Sequence, residues 1–284
     1  MLIRSTGLGL LALALLCAGC GDEPSATKVR YPFTLKTGDG IQLALKASVR
    51  TAAVGVEDKR EEMIVRTTLD ARCTEVTAAG ERRLQFTPRE FSVDGAVGAP
   101  AEQPKPRVLR IGPDRSHRGV EMDGETAAAN TPASNPFVTG GFLVYLPLAP
   151  GGMAIGQTYE LARGLPKNVL PTDLEQAVLA SEAKPAFEGI YTLRSSRVED
   201  GVLIGDFDIR LALTFEGSVQ VGPSTINLAI DMRCRGTQSF DLATGLATGP
   251  GASKVTQRVE MGAEGLAHTM RTSAEVEALA RPLR

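Results

Sequence analysis

The 284-residue sequence has no tryptophan, only four tyrosines and only two histidines. Surfaces that hold sugars lean on large aromatic rings, so the composition argues against a carbohydrate-binding face. Net charge is close to zero, with 31 Lys and Arg against 33 Asp and Glu. No basic run is available to follow a phosphate backbone, and nucleic acid is not expected as a partner. After the N-terminal apolar stretch no further run of about 18 apolar residues occurs, so a second membrane-spanning helix is not expected. H-E-x-x-H, G-x-S-x-G and calcium-loop spacings are all missing, which removes the commonest metal and nucleophile signatures. His117 falls in the polar stretch Asp114-Arg115-Ser116-His117-Arg118 and His268 just before Thr269. Each reads as a solvated surface residue.

What the sequence does have begins with Arg4 and an apolar run from Leu8 to Leu16, followed by small residues and Cys20. A cationic start, a short apolar core and a small-residue cut site mark an export signal, too short to span a bilayer afterwards. Ala18-Gly19-Cys20 resembles the bacterial lipobox, with Cys17 standing where that motif usually has Leu. The resemblance implies cleavage before Cys20 and acylation of its thiol. Two or three acyl chains give a stable anchor, where one gives only marginal binding. Gly21, not Asp, follows that cysteine, and by the same resemblance the destination is the periplasmic face of the outer membrane. Residues 1–19 are read as signal peptide and 20–30 as a small, polar tether.

The remainder reads as strands. Ile41, Leu43, Leu45, Ala47 and Val49 alternate with Gln42, Ala44, Lys46, Ser48 and Arg50, a period of two that buries one face. Met63 to Cys73, Phe207 to Phe215 and Ile226 to Cys234 repeat the device, and shorter strands are expected at 84–86, 190–197, 255–261 and 270–279. Val108 to Ile111 and Gly119 to Met122 form a hairpin about Gly112-Pro113-Asp114. One short helix is expected over 172–183, where Thr172 and Glu175 make a capping box. The boundary between a first β half, 31–146, and a second, 147–284, falls in the Pro- and Gly-rich stretch after Leu146. The fold class is therefore all-β with minor α content: an antiparallel sheet, as a curved half-barrel or as two repeated β halves.

Asp70-Ala71-Arg72-Cys73 in one half echoes Asp231-Met232-Arg233-Cys234 in the other, as an internal duplication would. In an oxidising compartment, with Cys17 removed and Cys20 acylated, Cys73 and Cys234 are the two thiols left, and a disulfide between them is expected. The alternative is a pair of buried free cysteines packing as small hydrophobes.

Catalytic patterns are thin. Ser181-x-x-Lys184 and Lys36-Thr37-Gly38 fit two motifs of serine acyl-enzymes, but in the reverse of that family's order and without S-D-N. Asp206 and Asp208 share a strand face, as a weak cation site or as a solvated surface. The phrases Gly156-Gln157-Thr158-Tyr159 and Phe240-Asp241-Leu242, with the lipobox, resemble a broad group of bacterial lipoproteins of unknown function. Some strand-rich lipoprotein carriers, such as those of the LolA and LppX type, hold acyl chains in a curved half-barrel. The resemblance implies that shape and assigns no binding residue. The expectation is a non-catalytic, cofactor-free, outer-membrane-anchored periplasmic lipoprotein that binds lipid or another apolar ligand. The alternative is a structural or protein-interaction module of the envelope, and a hydrolase comes third.

Overall fold

The computed structural model describes residues 28–54, 59–95, 106–122, 144–163, 178, 180–221, 224–263 and 266–283. The export signal and Cys20 lie outside the described residues. The described residues form eleven strands: β1 (Gly40–Val54), β2 (Lys59–Val76), β3 (Arg82–Asp94), β4 (Arg107–Ile111), β5 (His117–Met122) and β6 (Thr158–Arg163), then β7 (Ala186–Glu199), β8 (Val202–Val221), β9 (Ser224–Asp241), β10 (Ala247–Ala263) and β11 (Leu266–Pro282). They form one sheet in the order β5-β4-β3-β2-β1-β11-β10-β9-β8-β7-β6, and every pairing is antiparallel. The fold is all-β, as its alternating patterns require. Among the described residues only Val178 and Ala180 are helical; the rest of the expected helix up to residue 179 lies outside them.

Each half is a meander, and the pairing of β1 with β11 joins the two into a continuous sheet. The alternation read from sequence sets the faces. Ile41, Leu43, Leu45, Ala47 and Val49 of β1 are buried, as are Phe207, Ile209, Leu211, Leu213 and Phe215 of β8. Asp200 and Gly201 both have positive φ, 49° and 79°, which lets a two-residue turn follow the twist of β7 and β8. A single apolar cluster runs from Tyr31 to Ala280 and takes in both halves.

The sheet is open, with β5 and β6 at its edges, yet it curves strongly. Six strand spacings separate β4 from β9, which in a flat sheet is about 29 Å. The Arg115 side chain, in the turn after β4, nevertheless reaches the Leu242 carbonyl after β9 at 3.2 Å. Only a rolled sheet permits this, and the half-barrel form follows.

The duplication does not extend to strand register. With Ser48-Val49-Arg50 taken as the upstream counterpart of Asp208-Ile209-Arg210, Val49 faces Met63, ten positions before Cys73, whereas Ile209 faces Gly236, two positions after Cys234. The four-residue echo therefore marks different places in the two pairs of strands. The tether is also shorter than its sequence implies, because Val29 already forms a two-way backbone bridge with Met153, at 2.7 and 3.0 Å.

Candidate functional site

A carrier of apolar ligands needs an open apolar concavity. Here the chain fills one end of its own. The segments 28–39 and 144–157 pack into the end of the half-barrel where β1 begins and β11 ends. Leu35, Tyr145, Leu146, Leu148 and Met153 are all at most 1% exposed. Backbone bonds seat these segments: Thr34 N–H donates to Ala243 O at 2.9 Å, Leu146 N–H to Gly245 O at 3.0 Å, and Gly156 N–H to Leu193 O at 2.7 Å. Gly245 has a φ of 76°, and a Cβ there would meet Tyr145 Cε2 at 2.7 Å. The turn is glycine because Tyr145 occupies the space.

All four tyrosines of the chain serve this inner packing. Tyr31 donates to Ala149 O at 3.1 Å, Tyr145 to Arg115 O at 3.0 Å and Tyr191 to Pro147 O at 2.8 Å, while the Tyr159 hydroxyl donates to Gln157 Oε1 and lies 3.4 Å from Gly152 O. Irregular backbone buried in a core leaves carbonyls short of donors, and the phenols supply them. The rings of Tyr159, Tyr191, Phe207 and Phe240 form a chain, with successive centroids 5.7, 5.9 and 5.8 Å apart.

Arg115 closes the same end. It is 4% exposed, its guanidinium donates to Leu242 O and Tyr31 O at 3.2 Å each, and it lies 4.7 Å from the ring centroids of Tyr31 and Phe33. Burial lowers its proton affinity, against the neighbouring phenols of Tyr31 and Tyr145. Two carbonyls and two π-faces hold the cation. Phe33 is shared with Arg82, 4.0 Å over its ring.

The expected disulfide is absent. Cys73 and Cys234 are both free and buried. Cys234 shares a cross-strand row with Val255, Ala274, Val49 and Met63, so Cys73 lies four strand spacings and ten residues away. That is about 19 Å across and roughly 33 Å along the sheet, against the 7 Å limit for a bridge. Both thiols pack as small hydrophobes, as the alternative held. Burial pushes the Cys234 thiol up to about 11 and raises that of Cys73.

The acyl-enzyme motifs lie at opposite ends of the sheet. Lys36-Thr37-Gly38 forms the turn into β1, where Lys36 N–H donates to Asp39 Oδ2 at 2.9 Å. Ser181 and Lys184 precede Ala186, which is level with Ala52 across β8, β9, β10 and β11. The two motifs are thus roughly 40 Å apart along the strands. Ser181 Oγ lies 2.7 Å from Val178 O and 2.6 Å from Ala183 O, and Lys184 Nζ donates to the Ser181 carbonyl. These contacts tie a helix end and offer no nucleophile held by a base.

Asp206 is fully engaged. Its carboxylate accepts from Ser195 and Ser239 at 2.6 Å each and from Arg197 at 2.7 and 2.8 Å. Burial pushes its pKa up, but the two hydroxyls and the guanidinium outweigh it and hold the carboxyl below its usual range. Arg197 occupies the place a cation would take, while Asp208 accepts from Arg194 at 3.4 Å. No cluster of three metal-ligating side chains occurs among the described residues. His117 and His268 are strand residues, but their side chains lie outside the described set.

Two accessible recesses among the described residues lie on the polar face of the sheet. One crosses β2, β1, β11, β10 and β9 and is rich in arginine; a second is lined by Lys46, Arg66, Thr68, Glu90 and Glu277 among others. Sequence patterning marked this face as solvated and gave no sign of a recess, because strand twist, not residue type, shapes it. Comparison with protein-family models and with curated proteins finds no match.

Proposed function

We propose that this chain is a non-catalytic, lipid-anchored module of the bacterial envelope that acts as a structural or interaction element and not as a carrier of acyl chains. One observation carries the reading: residues 28–39 and 144–157 pack one end of the apolar side of the half-barrel, and two recesses among the described residues lie on the opposite, polar face. The lipobox-like Ala18-Gly19-Cys20 and the Gly at position 21 support an acylated Cys20 facing the periplasm from the outer membrane. A continuous sheet packed from within at one end, with a wide charged outer face, suits contact with other envelope components.

Native mass spectrometry after gentle extraction tests the functional half of the proposal. The expected mass is that of the chain plus the acyl groups on Cys20, with no stoichiometric bound lipid. A retained lipid that leaves only on unfolding would establish the carrier reading instead. Fractionation of Cys20→Ser tests the anchor: the variant should leave the membrane fraction, and one bound as firmly as wild type would disprove it.

A further inference from the structure

The arginine-lined recess has a volume of about 790 Å³, and Arg50, Arg60, Arg233, Arg258 and Arg271 contribute to its walls. Ala52 lines it, and the register partners of Ala52 are Arg60 on β2 and Arg271 on β11. Two arginines in one cross-strand row, with only a methyl group between them, stand roughly 10 Å apart at the backbone. Their long side chains can converge over that methyl.

Three of the five guanidinium groups are already matched. Arg50 donates to Glu62 at 2.9 Å, Arg233 to Asp231 at 3.0 Å, and Arg258 pairs with Glu260. Arg60 and Arg271 have no hydrogen-bond or ion-pair partner among the described residues. Arg271 also stands directly opposite Arg258 in the ladder, an arrangement that repels in the absence of an anion. Glu61, which also borders the recess, is the register partner of Thr51; by alternation its side chain belongs to the other face. Five cations against three carboxylates leave a local excess of two positive charges, in a chain whose net charge is −2.

We propose that this groove binds a small phosphate-bearing anion, with Arg60 and Arg271 clamping its oxygens above Ala52. Planar guanidinium forks match phosphate oxygens two at a time, and the excess charge equals that of a phosphate monoester dianion. A soluble phosphate is the expected source, and a lipid headgroup, which carries the same oxygens, is the alternative that the vesicle measurement separates. The inference is independent of the anchor and of the interaction role proposed above.

Calorimetry of the full chain in uncharged detergent at low salt, with inorganic pyrophosphate as the probe, tests it. Arg60→Gln and Arg271→Gln should each weaken binding about tenfold, and the double variant about a hundredfold. Lys46→Gln, on the same face but outside this recess, should bind as wild type does. Pyrophosphate should raise the melting temperature of wild type and leave that of the double variant unmoved, which separates loss of the site from loss of the fold. No binding by wild type, or equal binding by wild type and the double variant, would overturn the proposal. So would Arg60- and Arg271-dependent binding to phosphatidylglycerol vesicles without binding to pyrophosphate.

Discussion

The guanidinium of Arg115 donates to the carbonyl of Leu242 at 3.2 Å across a sequence separation of 127 residues. Arg115 stands in the first meander and Leu242 in the second, so this bond holds one end of the half-barrel together away from the β1–β11 seam. Replacing Arg115 with Met leaves the Leu242 and Tyr31 carbonyls without that donor and removes two cation–π contacts. The expected cost is about 3 to 5 kcal/mol, read as a lower urea midpoint. Arg115→Lys should recover little, since an ammonium cannot present the same planar fork. A variant as stable as wild type would mean the end is held without the arginine.

Stability should fall in alkali. Burial pushes the Tyr31 phenol up to about 12 and the Cys234 thiol up to about 11, and it raises Tyr145 and Tyr191 as well. Each group holds its proton more tightly folded than unfolded. The stabilisation is therefore complete below the unfolded values, about 8.5 for cysteine and 10 for tyrosine, and is lost as pH rises through the folded ones. Urea midpoints should be level from about pH 7 to 8.5 on this account and drop by pH 12. A midpoint still level at pH 12 would show that these hydroxyls and thiols are not buried.

Cys73 and Cys234 should behave as protected thiols. In the native protein both should resist alkylation, since each is buried and its thiolate is disfavoured. Unfolding without reductant should expose both to the reagent at once. Peptide mapping that recovers a linked Cys73–Cys234 pair would contradict the separation across four strand spacings.

Leu211 and Ile230 are both 3% exposed on the inner face. Truncating either to Ala should cost about 2 to 5 kcal/mol, with no change in co-purifying lipid, because these side chains pack against protein. A small loss of stability accompanied by a change in bound lipid would point to a ligand-lined wall.

The strands were legible because one face of each is dry and the other wet. The hairpin arms at 107–111 and 117–122, the long β8–β9 pair and the strand character of 270–279 all follow from that alternation. The inner packing was not legible. Residues 147–156 have no period, and Pro147, Pro150, Gly151 and Gly152 read as punctuation, although Leu148 and Met153 are as buried as any strand residue. Arg115 sits among Asp114, Ser116 and Arg118, and local composition gives a solvated turn. Only the curvature of the sheet, a property of the whole, brings Tyr31, Phe33 and Leu242 to it. The cysteines misled for a related reason: each was in phase with its own apolar face, but phase carries no information about distance between strands.

The pairing of Ile41 with Pro282 and of Val49 with Ala274 has a kinetic consequence. β1 emerges first among the strands, yet its β11 neighbour is the last to be made, so the ladder joining the meanders must wait for nearly the whole chain. Contacts of such sequence separation fold slowly, because the intervening loop must close before they form. Until then β1 presents an unpaired edge to its surroundings. A chain shortened before Leu266 should retain two partial meanders with nothing to knit them, and should be held in an aggregation-prone form instead of reaching a smaller native state.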